Sequence, residues 1–320
     1  MSSTGRESQS ARVPLIEKIW QAVLDELPPK TRHTEDRARH ACLSSIADYS
    51  RRCLASIAKL MRAGEINPNC RVRLSDLDPP AFPVERPLRI GVFPTSADPL
   101  HWGHILCGFS SLAGMKLDKV IFIIADRDPR KPRLTAAEIR HRVARAVIEQ
   151  FKPLFAYSPI ALGTDFDGER NVIRLLDLNS CQKIEAFYIA GADHLRRLDC
   201  CGRPDTVQKL ESEVKCMRKR SGANHAVSLL FLERNEPTAG MREAVETFLG
   251  VHVLPRVPLA CSSTAIRNAL SKGGHFPPLA ALPYSAFEDI RRRGLYRTDT
   301  LSSPVRIGDR PHRQHRPSAT

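Results

Sequence analysis

A chain of 320 residues, 42% apolar and 26% charged with a net charge of +14, has the length for about two domains and the balance of a water-soluble globular protein. No stretch approaches the roughly 18 uncharged apolar residues of a membrane span, and the N-terminus MSSTGRESQSARVP has no apolar core of a secretory signal, so no membrane partner and a cytoplasmic setting are expected. Nine scattered cysteines without a C-x-x-C pair argue against a disulfide scaffold or a thiolate zinc site, and for reduced thiols. The positive charge raises the question of nucleic acid. Residues 1–86 carry net +3, residues 87–290 net +5 and residues 291–320 net +6. The excess thus sits largely in a short tail, which argues against nucleic acid as the main partner and leaves the tail unexplained.

In chain order, VPLIEKIWQAVLDEL (13–27) repeats apolar residues at helical spacing, and a second helical stretch runs from about 34 to 61. Together they predict an all-helical N-terminal extension with little core of its own, packed on the rest or on a partner. Residues 78–87, DPPAFPVERP, hold four prolines and are expected to be a linker closing this region at 86. Then the pattern changes. Apolar runs at 88–93, 119–124, 154–158, 186–190, 227–232 and 251–254 alternate with helical patterns near 103–114, 135–150, 169–178, 264–271 and 283–293. Thr135-Ala136-Ala137-Glu138 reads as a capping box opening the second of these, and KCMRKRSGANHA (215–226) reads as a basic surface insertion. Continuous apolar strands alternating with helices predict a parallel sheet covered on both faces, a Rossmann-like, doubly wound α/β domain over 87–297. Residues 298–320, rich in Ser, Pro, Arg and His, are expected to be a disordered basic tail.

The chemistry concentrates in RIGVFPTSADPLHWGHILCG (89–108). His101 and His104 stand in the loop leaving the first strand and at the start of a helix, where unpaired N–H groups face an anion. Two imidazoles there can both point at one phosphate, and Gly103 between them lets backbone and ligand approach closely.

This segment resembles the HxGH signature of the nucleotidyltransferase superfamily, and within it the nicotinate/nicotinamide mononucleotide adenylyltransferases. Their pattern G-G-T-F-D-P-x-H-x-G-H, laid over the chain without gaps, is met by Asp98, Pro99, His101, Gly103 and His104, and conservatively by Ser96. KLDKVIFIIA (116–125) is similar to the family's second strand and its lead-in, IAGADHL (189–195) to its G-A-D-x-L, CSSTAIRNAL (261–270) to its I-S-S-T-x-I-R, and ALPYSAFEDIRRRGLY (281–296) to its closing helix. The landmarks fall in the family's order over about 88–297.

The resemblance implies transfer of AMP from ATP to nicotinate or nicotinamide mononucleotide, with release of pyrophosphate, in NAD biosynthesis. His101 and His104 would donate hydrogen bonds to nucleotide phosphates, and Arg267 would bind the β/γ-phosphates. Thr95 and Ser96 at the exit of the first strand and Gly103 would lie against the nucleotide. Ser262, Ser263 and Thr264 would cap a helix and leave neighbouring N–H groups for phosphate. Gly191 and Asp193 would meet a ribose at a strand end. In the basic stretch Arg127-Asp128-Pro129-Arg130-Lys131-Pro132-Arg133, Lys131 would face phosphate. Mg²⁺ would accompany ATP, held by phosphates and water, with no protein metal ligand expected.

The chain also departs from the pattern. Pro94-Thr95 replaces Gly-Gly, which removes one N–H, and Ala97 replaces a Phe. Of the stretch Tyr-Thr-x-Asp-Thr that holds the pyridine nucleotide, the corresponding GTDFDGERNVIRLL (163–176) offers Asn171 and Arg174 in equivalent positions, without the Thr and Asp. The same chemistry on another phosphate monoester, phosphopantetheine-like or CTP-dependent, is the nearest alternative, although phosphopantetheine enzymes usually carry Thr at the position of His101. A class I aminoacyl-tRNA synthetase would need a KMSKS-like loop, which CMRKRS (216–221) matches poorly. A non-enzyme alternative is a catalytically inactive relative that binds nucleotide or nucleic acid. A small mononucleotide is the expected partner, and homo-oligomerisation stays open.

Overall fold

The computed structural model describes residues 12–28, 37–83, 85–128, 131, 133–196, 205–221, 225–233, 247–259, 261–272 and 278–296. The tail after 297 lies outside them.

Six parallel strands carry the architecture: β1 (Leu88–Thr95), β2 (Lys119–Ile124), β3 (Phe155–Ser158), β4 (Ile184–Gly191), β5 (Ala226–Leu232) and β6 (Gly250–Leu254). Their order is β3-β2-β1-β4-β5-β6, all pairings being parallel. This is a doubly wound, Rossmann-like sheet with its switch point between β1 and β4, where the crevice at the carboxyl ends of the strands takes ligands.

The strands read as continuous apolar runs because both faces are covered. Val120, Phe122 and Ile124 of β2 face one core together with α3 (Trp102–Met115) and α4 (Ala137–Gln150). Ile121 and Ile123 face the other, together with α5 (Gly168–Leu178) and α6 (Asp205–Ser221). The alternation is the period-2 geometry of a strand applied to a sheet buried on both sides. After β6 come α7 (Ser263–Ser271) and α8 (Tyr284–Arg292), which share a small cluster around Ile266, Leu282 and Ile290.

The N-terminal extension forms α1 (Arg12–Glu26) and α2 (Arg37–Arg62). Helix α2 packs along the outer side of α3, and α1 reaches α8. Ile19, Val23, Ile46, Leu54 and Ile57 join the same core as α3 and β2. This contact explains the unusual composition of α3, WGHILCGFSSLAGM. A helix apolar on nearly every side must be buried on every side, and Trp102 to Leu106 and Gly108 to Leu112 are all buried. Residues 63–83 and 85–87 lead from α2 to β1 and are tied to the sheet domain. Asn179 Nδ2 donates to the Arg73 carbonyl at 3.0 Å, Ser158 Oγ to the Leu74 carbonyl at 2.5 Å, and Arg86 pairs with the fully buried Asp118.

One motif gains a place and one local expectation needs correction. Residues 215–221 of the basic stretch belong to α6, the crossover helix between β4 and β5, and Ala226 opens β5. The apolar positions Val207, Leu210, Val214 and Met217 are spaced as one buried helix face; the basic run occupies the other side. Thr135 is not the cap of α4. The N-cap is Ala136, whose methyl group has no acceptor for a cap bond, while Thr135 is held through its backbone by Asp98 and Arg140.

Candidate active site

His101 and His104 build the start of α3 themselves. His101 is the N-cap in extended conformation, and its Nδ1 accepts the Gly103 N–H at 3.0 Å. His104 Nδ1 accepts the His101 N–H at 3.2 Å. The two side chains form a reciprocal capping box, in which imidazole replaces the usual hydroxyl and carboxamide. A ring nitrogen that accepts a hydrogen bond carries no proton, so each neutral imidazole holds its proton on Nε2. The rings stand 4.0 Å apart, centroid to centroid, and both are buried. Gly103 is required by contact: a Cβ there would lie 2.7 Å from the His101 ring.

The loop ahead of them is held by Asp98, which is 1% exposed. Its carboxylate accepts the Thr135 N–H at 3.2 Å and the Tyr296 hydroxyl at 2.6 Å, and lies 3.5 Å from Arg267 Nη1. The same guanidinium donates to the Asp98 carbonyl, while its Nη2 reaches Thr264 Oγ1 at 3.2 Å. Burial, and the carboxylate beside it, push the Tyr296 phenol far above its ordinary range, so it acts as a donor. Arg140, 2% exposed, donates to four carbonyls, those of Ser96, Ala125, Asp126 and Thr135, at 2.6–2.7 Å. It ties the exits of β1 and β2 together. Burial lowers its pKa, and Asp98 and Asp126 oppose that.

The other residues singled out by motif fall as follows. Thr95 Oγ1 accepts the Ala97 N–H at 3.2 Å, supporting a loop in which Ala97 takes a left-handed φ of 43°. Lys131 Nζ donates to Ser96 Oγ at 2.7 Å and lies 3.5 Å from Asp128, so the basic loop does meet the exit of β1. Arg130, Pro129 and Pro132 lie outside the described residues. Ser262 caps α7 by accepting the Ala265 N–H at 3.2 Å, and Ser263 Oγ donates to the Pro99 carbonyl at 3.1 Å. That bond docks the start of α7 on the histidine loop. Gly191 ends β4, and Asp193 lies in the 3-10 turn that follows (Ala192–Arg196), beside β1 at the switch point. Among the described residues no group of three or more His, Cys, Asp or Glu could hold a metal ion, and no helix is long and apolar enough to cross a membrane.

The region expected to hold the pyridine nucleotide is organised differently. Asp167 caps α5 by accepting the Arg170 N–H at 3.0 Å. Asn171 Nδ2 donates to the Phe166 and Asp167 carbonyls, both at 3.0 Å. Arg174 donates to the Ile160 carbonyl and to Asp76. Arg174 and the Nδ2 of Asn171 are engaged with the protein's own structure, whereas Asn171 Oδ1 is buried without a hydrogen-bond partner. Close against them, Gly168 abuts Pro94, where a Cβ would come within 2.9 Å.

No family model matches the chain. A curated protein of Thermoanaerobacter sp. (strain X514), named "Probable nicotinate-nucleotide adenylyltransferase", is 26% identical over 219 residues, covering 68% of this chain and 98% of that protein. The chain is similar to nicotinate-nucleotide adenylyltransferases over nearly their whole length. A Thermus thermophilus protein of the same name is 29% identical over 223 residues, 66% of this chain and 100% of its own. Among solved structures, Plasmodium falciparum nicotinic acid mononucleotide adenylyltransferase complexed with NaAD aligns with a TM-score of 0.48 and 14% identity, covering 65% of this chain and 97% of that one. The family resemblance read from the motifs is thus matched by relatives aligned from end to end. About a third of this chain has no counterpart in them.

Proposed function

We propose that the chain transfers AMP from ATP to nicotinate mononucleotide and releases pyrophosphate, the step that makes the dinucleotide in NAD biosynthesis. The observation that carries this is the reciprocal histidine cap: two buried imidazoles 4.0 Å apart, each accepting a backbone N–H at Nδ1, at the head of α3 beside the switch point. The names of the end-to-end relatives support the same activity.

The reaction is an in-line attack of the mononucleotide phosphate on the α-phosphate of ATP. It needs charge stabilisation and alignment, with no covalent enzyme intermediate. His101 and His104 donate from Nε2 to phosphate oxygens, and the head of α3 adds its dipole. Because the caps fix both rings beforehand, the donors need no reorganisation as charge builds. Arg267, with Ser263 and Thr264 at the head of α7, takes the outgoing pyrophosphate. Lys131 and Ser96 flank the exit of β1, and Thr95 holds the turn between them. Gly191 and Asp193 at the end of β4 accept the ribose of ATP. Mg²⁺, when bound with ATP, would neutralise phosphate charge and would be held by phosphate oxygens and water rather than by a protein cage. Asp98 does not fit as its ligand, because Tyr296, Thr135 and Arg267 already occupy its carboxylate.

The test is incubation with ATP, Mg²⁺ and nicotinate or nicotinamide mononucleotide in turn, with dinucleotide and pyrophosphate both quantified. Equimolar products, with higher kcat/KM for nicotinate mononucleotide, are expected. Binding of ATP without product from either acceptor would overturn the reading.

A further inference from the structure

The end-to-end relatives match about two thirds of this chain, and the function proposed above gives the N-terminal extension no role. Glu26, the last residue of α1, is 5% exposed. Its Oε2 accepts both the backbone N–H and the hydroxyl of Ser285, each at 2.9 Å. Ser285 lies in the first turn of α8, whose own N-cap, Pro283, makes no side-chain cap bond. Proline presets the first turn but has no side-chain acceptor for the free N–H groups behind it. A carboxylate at a helix start satisfies such a donor and complements the positive end of the dipole. Burial raises the Glu26 pKa, and the two bonds from Ser285 oppose that.

Helix α8 leads through the left-handed Gly294 to Tyr296, and the Tyr296 hydroxyl grips Asp98 at 2.6 Å. Asp98 holds the loop that ends in His101 and His104. A second contact from the extension runs in parallel: Ser45 Oγ of α2 donates to the Pro258 carbonyl at 3.4 Å, on the segment that enters α7. The extension therefore grips the chain before and after Arg267.

We propose that Glu26 is a positioning residue of the site. It supplies the cap that α8 lacks, and through α8 and Tyr296 it holds Asp98 and the histidine loop in the geometry that binds ATP. The proposal rests on the nucleotide reading above.

The experiment is a double-mutant cycle on the full chain, with Glu26→Ala, Tyr296→Phe and the pair, read as ATP affinity by calorimetry. Each single change is expected to weaken ATP binding about fivefold, the scale of a lost helix cap. The double variant should be no weaker than about tenfold, because both changes break one linkage. Glu26→Gln keeps an acceptor for both Ser285 bonds and should stay within about twofold of the unsubstituted protein. Multiplied effects in the double variant, or an unchanged ATP affinity in Glu26→Ala with only a lower Tm, would overturn the proposal. Where Glu26→Ala does not fold, Ser285→Ala, which removes only the hydroxyl bond, replaces it in the cycle under the same criterion. Failure of the unsubstituted protein to bind ATP would overturn the nucleotide reading. ATP binding together with multiplicative effects would overturn this proposal alone.

Discussion

Helices α3 and α5 both leave the carboxyl end of a parallel strand, yet their first turns are built on different principles. At α3 the partners come from far along the chain: Asp98 is met by residues 37, 169 and 198 positions away. At α5 most polar contacts stay local, with Asn171 bonded four and five residues back and Asp167 three residues ahead. Convergence from distant segments over-determines a loop, as a preorganised phosphate site requires. At α5 the longer-range contact is the Tyr188 hydroxyl on Glu169 at 2.9 Å, and Asn171 Oδ1 is left without a partner. The start of α3, where the proposal places ATP, is therefore held from several distant segments, whereas the start of α5 is held largely by its own neighbours.

That contrast can be broken first at the cap itself. His101→Ala removes a helix cap and, on the proposed reading, a phosphate donor with it; turnover should fall at least about 100-fold, and stability by about 1 kcal/mol. Steady-state kinetics and urea unfolding read the two effects separately. Arg140→Met leaves four carbonyls without their donor at the exits of β1 and β2. An expected loss of about 3 kcal/mol in unfolding free energy would mark that junction as structural support for the site; a loss under about 1 kcal/mol would remove it from the account.

A pH dependence sharpens the comparison at the edge of the α/β core. His141 is buried, bonded to the Tyr157 hydroxyl at 2.6 Å, and pushed down to about 4 by burial and by the neighbouring Arg140. The unfolded chain titrates near the ordinary 6.5, so between these values it binds more protons than the native state does. Stability contributed by the neutral ring is therefore present above pH 6.5 and lost as pH falls toward 4, by about 2 kcal/mol after allowance for partial solvation. His141→Gln should flatten that part of the curve in thermal melts from pH 7 to 4. The smallest effect is expected at α5: Asn171→Ala should cost about 1 kcal/mol of stability for its two lost carbonyl bonds and leave ATP affinity within about twofold. A tenfold loss of ATP affinity there would erase the distinction between the two helix starts.

Much of this was legible in the amino-acid order. All six strands fall within about two residues of the apolar runs, because a sheet covered on both faces leaves uninterrupted hydrophobic segments. The histidine pair was legible from residue type and placement, and Ser96, Lys131, Ser263 and Arg267 do gather around the same loop. Helix α6 was missed because eight of its 17 residues are charged, which hid the apolar face Val207, Leu210, Val214 and Met217. The box at Thr135 misled because the local pattern was outbid by two longer-range contacts, Asp98 to its N–H and Arg140 to its carbonyl. Arg140, Tyr296 and Glu26 escaped for the same reason. Each acts on a partner far away in the chain or on a bare carbonyl, and no periodicity or spacing records such pairings.

The most direct measurement is single-turnover formation of dinucleotide from saturating ATP and nicotinate mononucleotide, in the unsubstituted protein and in His104→Ala. The account predicts a rate at least about 100-fold lower in the variant, with ATP affinity changed by less than about tenfold. An equal rate in the two proteins would make the imidazole a helix cap and nothing more, and would contradict the assignment of the site.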